Sequence, residues 1–101
     1  MLNSVIIGTA LTDIVSGSSN MVSVGLYFCN FSVLGDYVTI HAIKSGESGT
    51  NANTIVKDME FTGRETLQFP NEKFILSPGD KISASGAYGG RVSATAIFMD
   101  L

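Results

Sequence analysis

Apolar side chains in this chain recur at every second position and almost nowhere at spacings of three and four. That period constrains the fold more than any other feature, because successive side chains of a strand point to opposite faces, whereas a helix repeats its face about every 3.6 residues. Over residues 21–29, Val22, Val24, Leu26 and Phe28 are expected on one face, with Met21, Ser23, Gly25, Tyr27 and Cys29 on the other. Over 37–44, Val38, Ile40 and Ala42 oppose Tyr37, Thr39, His41 and Ile43. The last segment places Val92, Ala94, Ala96 and Phe98 on one face. Further extended segments are read at 4–8, 10–15, 54–60, 65–69, 74–76 and 81–87, and no stretch reads as a helix.

Turn chemistry falls between these segments. Asn30, Ser32, Gly35 and Asp36 predict a loop that folds 21–29 and 37–44 into an antiparallel hairpin. Ser77-Pro78-Gly79-Asp80 has proline and glycine where a type II turn prefers them. Gly89-Gly90 permits the positive φ of a tight hairpin into the last strand. Pro70 is expected to close the strand before it, and residues 45–53 (SGESGTNAN) to form a long flexible loop. Eight or nine short strands with turns about every ten residues suit a sandwich or a barrel, and two packed sheets bury so many alternating faces best. The expectation is an all-β, antiparallel β-sandwich, jelly-roll or immunoglobulin-like, of about eight strands, forming a single domain over residues 1–101.

Charged residues make up only 15% of the chain against 45% hydrophobic, a neutral surface that favours permanent association, and a homo-oligomer is expected. The net charge is -3, and the six basic residues (Lys44, Lys57, Arg64, Lys73, Lys81, Arg91) are scattered, so no basic stripe is available to follow a nucleic-acid backbone. No apolar run approaches the roughly 18 residues of a membrane helix, and residues 1–11 lack the basic start of a signal peptide. Neither nucleic acid nor membrane is an expected partner.

Candidate chemistry is sparse. His41, the sole histidine, lies mid-strand without a local nucleophile elbow, and is read as a residue on the outer or interfacial face of its strand. Cys29, the sole cysteine, allows no internal disulfide or zinc pair, has no basic neighbour to activate it, and is read as packing. Asp13, Asp36, Asp58, Glu60 and Asp80 are too dispersed for a calcium loop, and Asp80 is expected to bond backbone groups of its own turn. The glycine-rich stretches 45–49 and 86–90 lack the strand-to-helix setting of a phosphate loop. No catalytic residue, metal ligand or cofactor site is assigned, and the chain is read as non-enzymatic.

What stands out instead is apolar. Phe31, Val33 and Leu34 occupy one loop, where they either fold back over the core or meet a neighbouring subunit. These three, with Tyr37 and with Tyr88 beside the Gly89-Gly90 turn, are the candidate interface residues. Tyr27, Tyr37 and Tyr88, together with the 45–53 loop, also supply material for a receptor- or carbohydrate-binding patch.

Residues 51–56 (NANTIV), 63–67 (GRETL) and 75–85 (ILSPGDKISAS), preceded by 24–30 (VGLYFCN) and a strand at 37–43, resemble small virion proteins of tailed bacteriophages from about Met21 onward. The resemblance implies a β-sandwich subunit of the particle, either a decoration or cement protein of the head or a component of tail, collar or baseplate. Its implied partners are copies of itself and the major capsid or tail proteins. Its implied location is the virion, assembled in the host cytoplasm and released by lysis. A receptor- or carbohydrate-binding module of a fibre is the alternative.

Overall fold

The computed structural model describes residues 1–69 and 72–101, so the proposed strand-closing role of Pro70 lies outside the described residues. The chain is all-β: nine strands are seen among the described residues, in two antiparallel sheets packed as a sandwich. One sheet contains β1 (Leu2–Ile6), β9 (Val92–Asp100), β3 (Met21–Asn30) and β6 (Thr66–Gln68) in that order, with β7 (Ile75–Leu76) also paired to β3. The other runs β2 (Thr12–Ser16), β8 (Lys81–Gly86), β4 (Asp36–Ile43), β5 (Thr54–Phe61). A 3-10 turn at Asn51–Asn53 precedes β5.

The pairing is nested. β4 pairs β5, β3 pairs β6 and β7, β2 pairs β8, and β1 pairs β9, successive pairs falling in alternate sheets. One long hairpin rolled upon itself gives this order, which is that of a jelly roll and not of an immunoglobulin sandwich. The strand count exceeds eight because β6 and β7 pair opposite ends of β3, at Tyr27–Cys29 and Met21–Val22.

Rolling corrects two expected hairpins. β3 and β4 lie in different sheets, as do β8 and β9, so residues 31–35 and 87–91 are arches over one end of the sandwich. Gly89 and Gly90 do take positive φ, 77° and 71°, but they turn the chain between sheets. The type II turn does form: Gly79 has φ 88° and the Asp80 N–H donates to the Ser77 carbonyl at 3.0 Å.

The core lies between the sheets, built on Phe28, Phe61, Phe98, Ile40, Ile82 and Leu26 with their neighbours. In β9 the expected inner face, Val92, Ala94, Ala96 and Phe98, is buried throughout. In β3 strict alternation fails. The pairing with β9 passes from Ser23–Phe98 to Gly25–Ile97, leaving Val24 as an extra residue, so Met21 and Ser23 point inward before this bulge and Leu26 and Phe28 after it. A bulge inverts the facing of everything beyond it, which is why Val24 is exposed and does not share a face with Leu26. Tyr27 lies over Gly25, where a Cβ would come within 2.7 Å of its ring.

β5 carries two extra residues against β4, between Met59 and Val56 and between Val56 and Thr54. Asp58 there has φ 47°, held by its N–H donating to Thr39 Oγ1 at 3.0 Å. The expected flexible loop after β4 is pinned. Asn53 Oδ1 accepts from the Thr50 N–H at 3.0 Å, and its Nδ2 donates to the Ser48 carbonyl at 2.8 Å.

Candidate functional site

One end of the sandwich is organised by two buried polar side chains. Asn30, at the end of β3, points inward: its Oδ1 accepts from the Ser32 N–H at 3.0 Å, while its Nδ2 donates to the carbonyls of Leu34 (2.9 Å) and Phe61 (3.3 Å). The Arg64 N–H donates to the Ser32 carbonyl at 3.1 Å, and Gly63 packs so tightly on the Val33 carbonyl that no Cβ fits there. The arch is thereby fixed with its polar groups inward, since buried polar groups must find partners. Its apolar side chains face out: Phe31 is 52% exposed, Val33 72% and Leu34 55%. They do not fold back over the core.

Asp36 is the second anchor. Its carboxylate accepts from the backbone N–H groups of Tyr37 (2.7 Å), Tyr88 (3.0 Å) and, at longer range, Gly89 (3.4 Å), tying the 87–91 arch to the start of β4. Gly86 leaves room for it; a Cβ would lie 2.6 Å from Asp36 Oδ2.

Between the arches opens a concavity of about 540 Å³, whose lining includes Leu34, Tyr37, Glu60, Tyr88 and Arg91. Tyr37 Oη donates to Glu60 Oε2 at 3.2 Å, and that hydrogen bond, reinforced by the negative charge, holds the phenol above its usual range. The Arg91 guanidinium sits 4.4 Å from the centre of the Tyr88 ring, and its Nη1 donates to the Gly35 carbonyl at 2.6 Å. Two aromatic rings, one carboxylate and one guanidinium around an open depression can stack on a flat face and exchange hydrogen bonds.

All five candidate interface residues, Phe31, Val33, Leu34, Tyr37 and Tyr88, fall at this end. Tyr27 does not; it lies on the outer face of β3. The 45–53 loop is at the other end of β4, about 20 Å away at the usual rise of a strand, so the tyrosine-plus-loop patch is not assembled. Asn30, Asp36, Glu60 and Arg91 were not legible as site residues. The first two read as turn chemistry, and only the arches show why they are buried.

The other residues singled out from the sequence lie elsewhere. His41 lies on the outer face of β4, half-buried under the 45–53 loop. Its Nδ1 is 2.8 Å from Asn53 Oδ1, and because that oxygen is an acceptor from Thr50, the proton belongs on Nδ1. Cys29 is half-buried on the outer face of β3, between Ser93 and Thr66, and is not a core side chain. Asp80 accepts from the N–H groups of Ser77 (3.0 Å) and Ser45 (2.9 Å), bonds that hold its carboxyl below the usual range. Among the described residues no three metal-ligating side chains cluster, and no helix is long and apolar enough to cross a membrane.

Fold and site together define a jelly-roll sandwich with an apolar and aromatic end whose two arches are tied by buried Asn30 and Asp36. No family model, no curated protein and no solved structure matches this chain.

Proposed function

We propose that this chain is a non-enzymatic structural subunit of a tailed-phage virion, decorating or cementing the capsid or forming an accessory layer of tail or baseplate. The observation that carries this reading is the arch at 31–34, whose polar groups are used inward and whose three apolar side chains are held outward on a fixed backbone. Such an arch costs free energy in water and gains it against another apolar surface, with little further ordering on docking. The rolled topology adds an argument by fold analogy, since jelly rolls recur in capsid and lectin domains. A compact subunit repeated on a symmetric particle needs only modest affinity per contact, because the contacts act together. Its partners are copies of itself and the major capsid or tail proteins.

The test is attachment to particles. Purified virions are probed for the chain by mass spectrometry and by immunogold imaging, and particles lacking it are then re-decorated with wild-type protein or Phe31→Asp. Re-decoration is expected for the wild type and to fall at least tenfold for the variant. Equal attachment of both would sink the assignment.

The concavity favours a second reading, a receptor- or carbohydrate-binding module of a phage fibre, because Tyr37, Tyr88, Glu60 and Arg91 form the stacking and hydrogen-bonding set that sugars use. A glycan array with hits abolished by Tyr88→Ala supports it; an array without hits removes it.

A further inference from the structure

The concavity between the arches presents hydrogen-bonding groups that the protein itself leaves unused. Glu60 spends Oε2 on the Tyr37 phenol, and its Oε1 has no partner among the described residues. Arg91 spends Nη1 on the Gly35 carbonyl, which leaves Nε and Nη2 as donors without a partner among the described residues. The backbone N–H of Tyr88 is held by Asp36, while its hydroxyl is unpaired among the described residues. One hollow is thus lined by an acceptor, a pair of donors and a hydroxyl that can do either.

The aromatic rings supply the flat part of the surface. Tyr88 is 60% exposed, and the Arg91 guanidinium covers one of its faces at 4.4 Å, which leaves the opposite face to solvent. Tyr37 is 42% exposed and is held at both ends, its Oη donating to Glu60 and its backbone N–H to Asp36. Because both rings are already placed, little of the contact energy is lost to ordering them when a ligand arrives. The volume of about 540 Å³ lies within the range of about 300–1,000 Å³ usual for small-ligand sites.

Charge narrows the class of ligand. Apart from the tyrosines, the ionisable side chains of the lining are Asp36, Glu60 and Arg91, two carboxylates against one guanidinium. Glu60 has no ion pair among the described residues, and the raised phenol of Tyr37 reports the negative field around it. An acidic group entering the hollow meets that field, and an uncharged one does not. A hydroxyl can donate to Glu60 and accept from Arg91, whereas an anion cannot donate to the first and an ammonium cannot accept from the second. A pyranose carries several hydroxyls on a ring whose C–H face lies flat on an aromatic side chain. We infer that the hollow binds a neutral pyranose, its C–H face on the open side of Tyr88 and its hydroxyls shared between Glu60 and Arg91, and that it discriminates against acidic sugars. The inference rests on the second reading given above and adds to it the class of sugar.

NMR on the isotope-labelled whole chain tests it, with methyl glucoside, methyl galactoside, methyl mannoside, glucuronic acid and N-acetylneuraminic acid titrated separately at neutral pH and constant ionic strength. At least one neutral glycoside is expected to give saturable amide shifts around Tyr37, Glu60 and Tyr88, with the acids bound at least about fivefold more weakly, the effect of one unit charge about 4 Å away in water. Tyr88→Ala should abolish the shifts. Glu60→Gln keeps an acceptor and removes the charge, so the preference for neutral over acidic sugar should narrow about fivefold. Both side chains are exposed, and thermal melts confirm that the variants are folded. Acidic sugars bound as well as the neutral ones, or better, overturn the inference and leave the sugar-binding reading standing. Neutral binding that persists in Tyr88→Ala overturns it as well, because the site then lies elsewhere on the chain. No saturable shift with any of these sugars removes the sugar-binding reading and the inference with it.

Discussion

Asp36→Ala is the sharpest test of how the aromatic end is built. The carboxylate is 1% exposed and accepts two well-formed backbone hydrogen bonds, from Tyr37 at 2.7 Å and Tyr88 at 3.0 Å, with Gly89 a weak third at 3.4 Å. Hydrogen bonds to a charged group contribute about 1.5–3 kcal/mol each, so losing two of them should cost about 3–5 kcal/mol. For a domain of this size each kcal/mol lowers the melting temperature by about 4–8 °C, so the midpoint should fall by roughly 15 °C or more. Asp36→Asn can keep Oδ1, the oxygen that accepts from both Tyr37 and Tyr88, and gives up only the charge and the weak Gly89 contact to Oδ2, so it should lose less than half as much. Urea unfolding followed by circular dichroism gives the free energies. A loss under about 1 kcal/mol for the alanine variant would refute the claim that Asp36 anchors the 87–91 arch. Gly86→Ala checks the same contact from the other side, since its Cβ would lie 2.6 Å from Asp36 Oδ2; a stability equal to wild type would mean the carboxylate is free to move.

Phe98→Ala removes a fully buried ring from the inner face of β9 and should cost about 3–5 kcal/mol by calorimetry; a loss below about 1 kcal/mol would mean the core is not centred there. Asp80 has its carboxyl lowered by the N–H groups of Ser77 and Ser45, so its stabilisation is present above the ordinary carboxylate range and is lost as the pH falls through its depressed value. The melting-temperature gap between wild type and Asp80→Asn should therefore close in strong acid, and a gap constant from neutral pH downward would contradict this. Lys81→Ala should change stability by less than about 1 kcal/mol, because its pair with Asp13 is solvent-exposed; a larger loss would show that the pair matters beyond its Coulomb energy.

Much of the fold was legible. Alternation over 92–98 located an inner face that is buried throughout, and Ser77-Pro78-Gly79-Asp80 located a turn that forms as expected. These features are local: side-chain period and turn residues act within a few positions, whatever the rest of the chain does. The apolar arch was visible for the same reason, since Phe31, Val33 and Leu34 stand between turn residues and can be recognised without knowing what they face.

Tertiary structure decided what depends on distant partners. Whether 21–29 pairs with 37–44 or lies across the core from it cannot be read from the loop between them, because the jelly roll is fixed by pairings such as Leu2 with Ile97, far apart in sequence. The bulge at Val24 exists only against β9, and it reassigned the facing of half a strand. Asn30 and Asp36 read as turn residues until the arches closed over them, Glu60 met Tyr37 only through the pairing of β5 with β4, and Arg91 reached the Gly35 carbonyl only because both arches cover one end. The uncharged sheet face arises in the same way. Each strand by itself shows a polar or apolar edge of little note, and only the register that sets Leu2 beside Ile97 and Val22 beside Met99 joins the outward side chains of the β1-β9-β3-β6 sheet into one surface without Asp, Glu, Lys or Arg. Composition determined that charge would be scarce; where its absence falls was decided by long-range pairing, because a face belongs to a sheet and not to a strand.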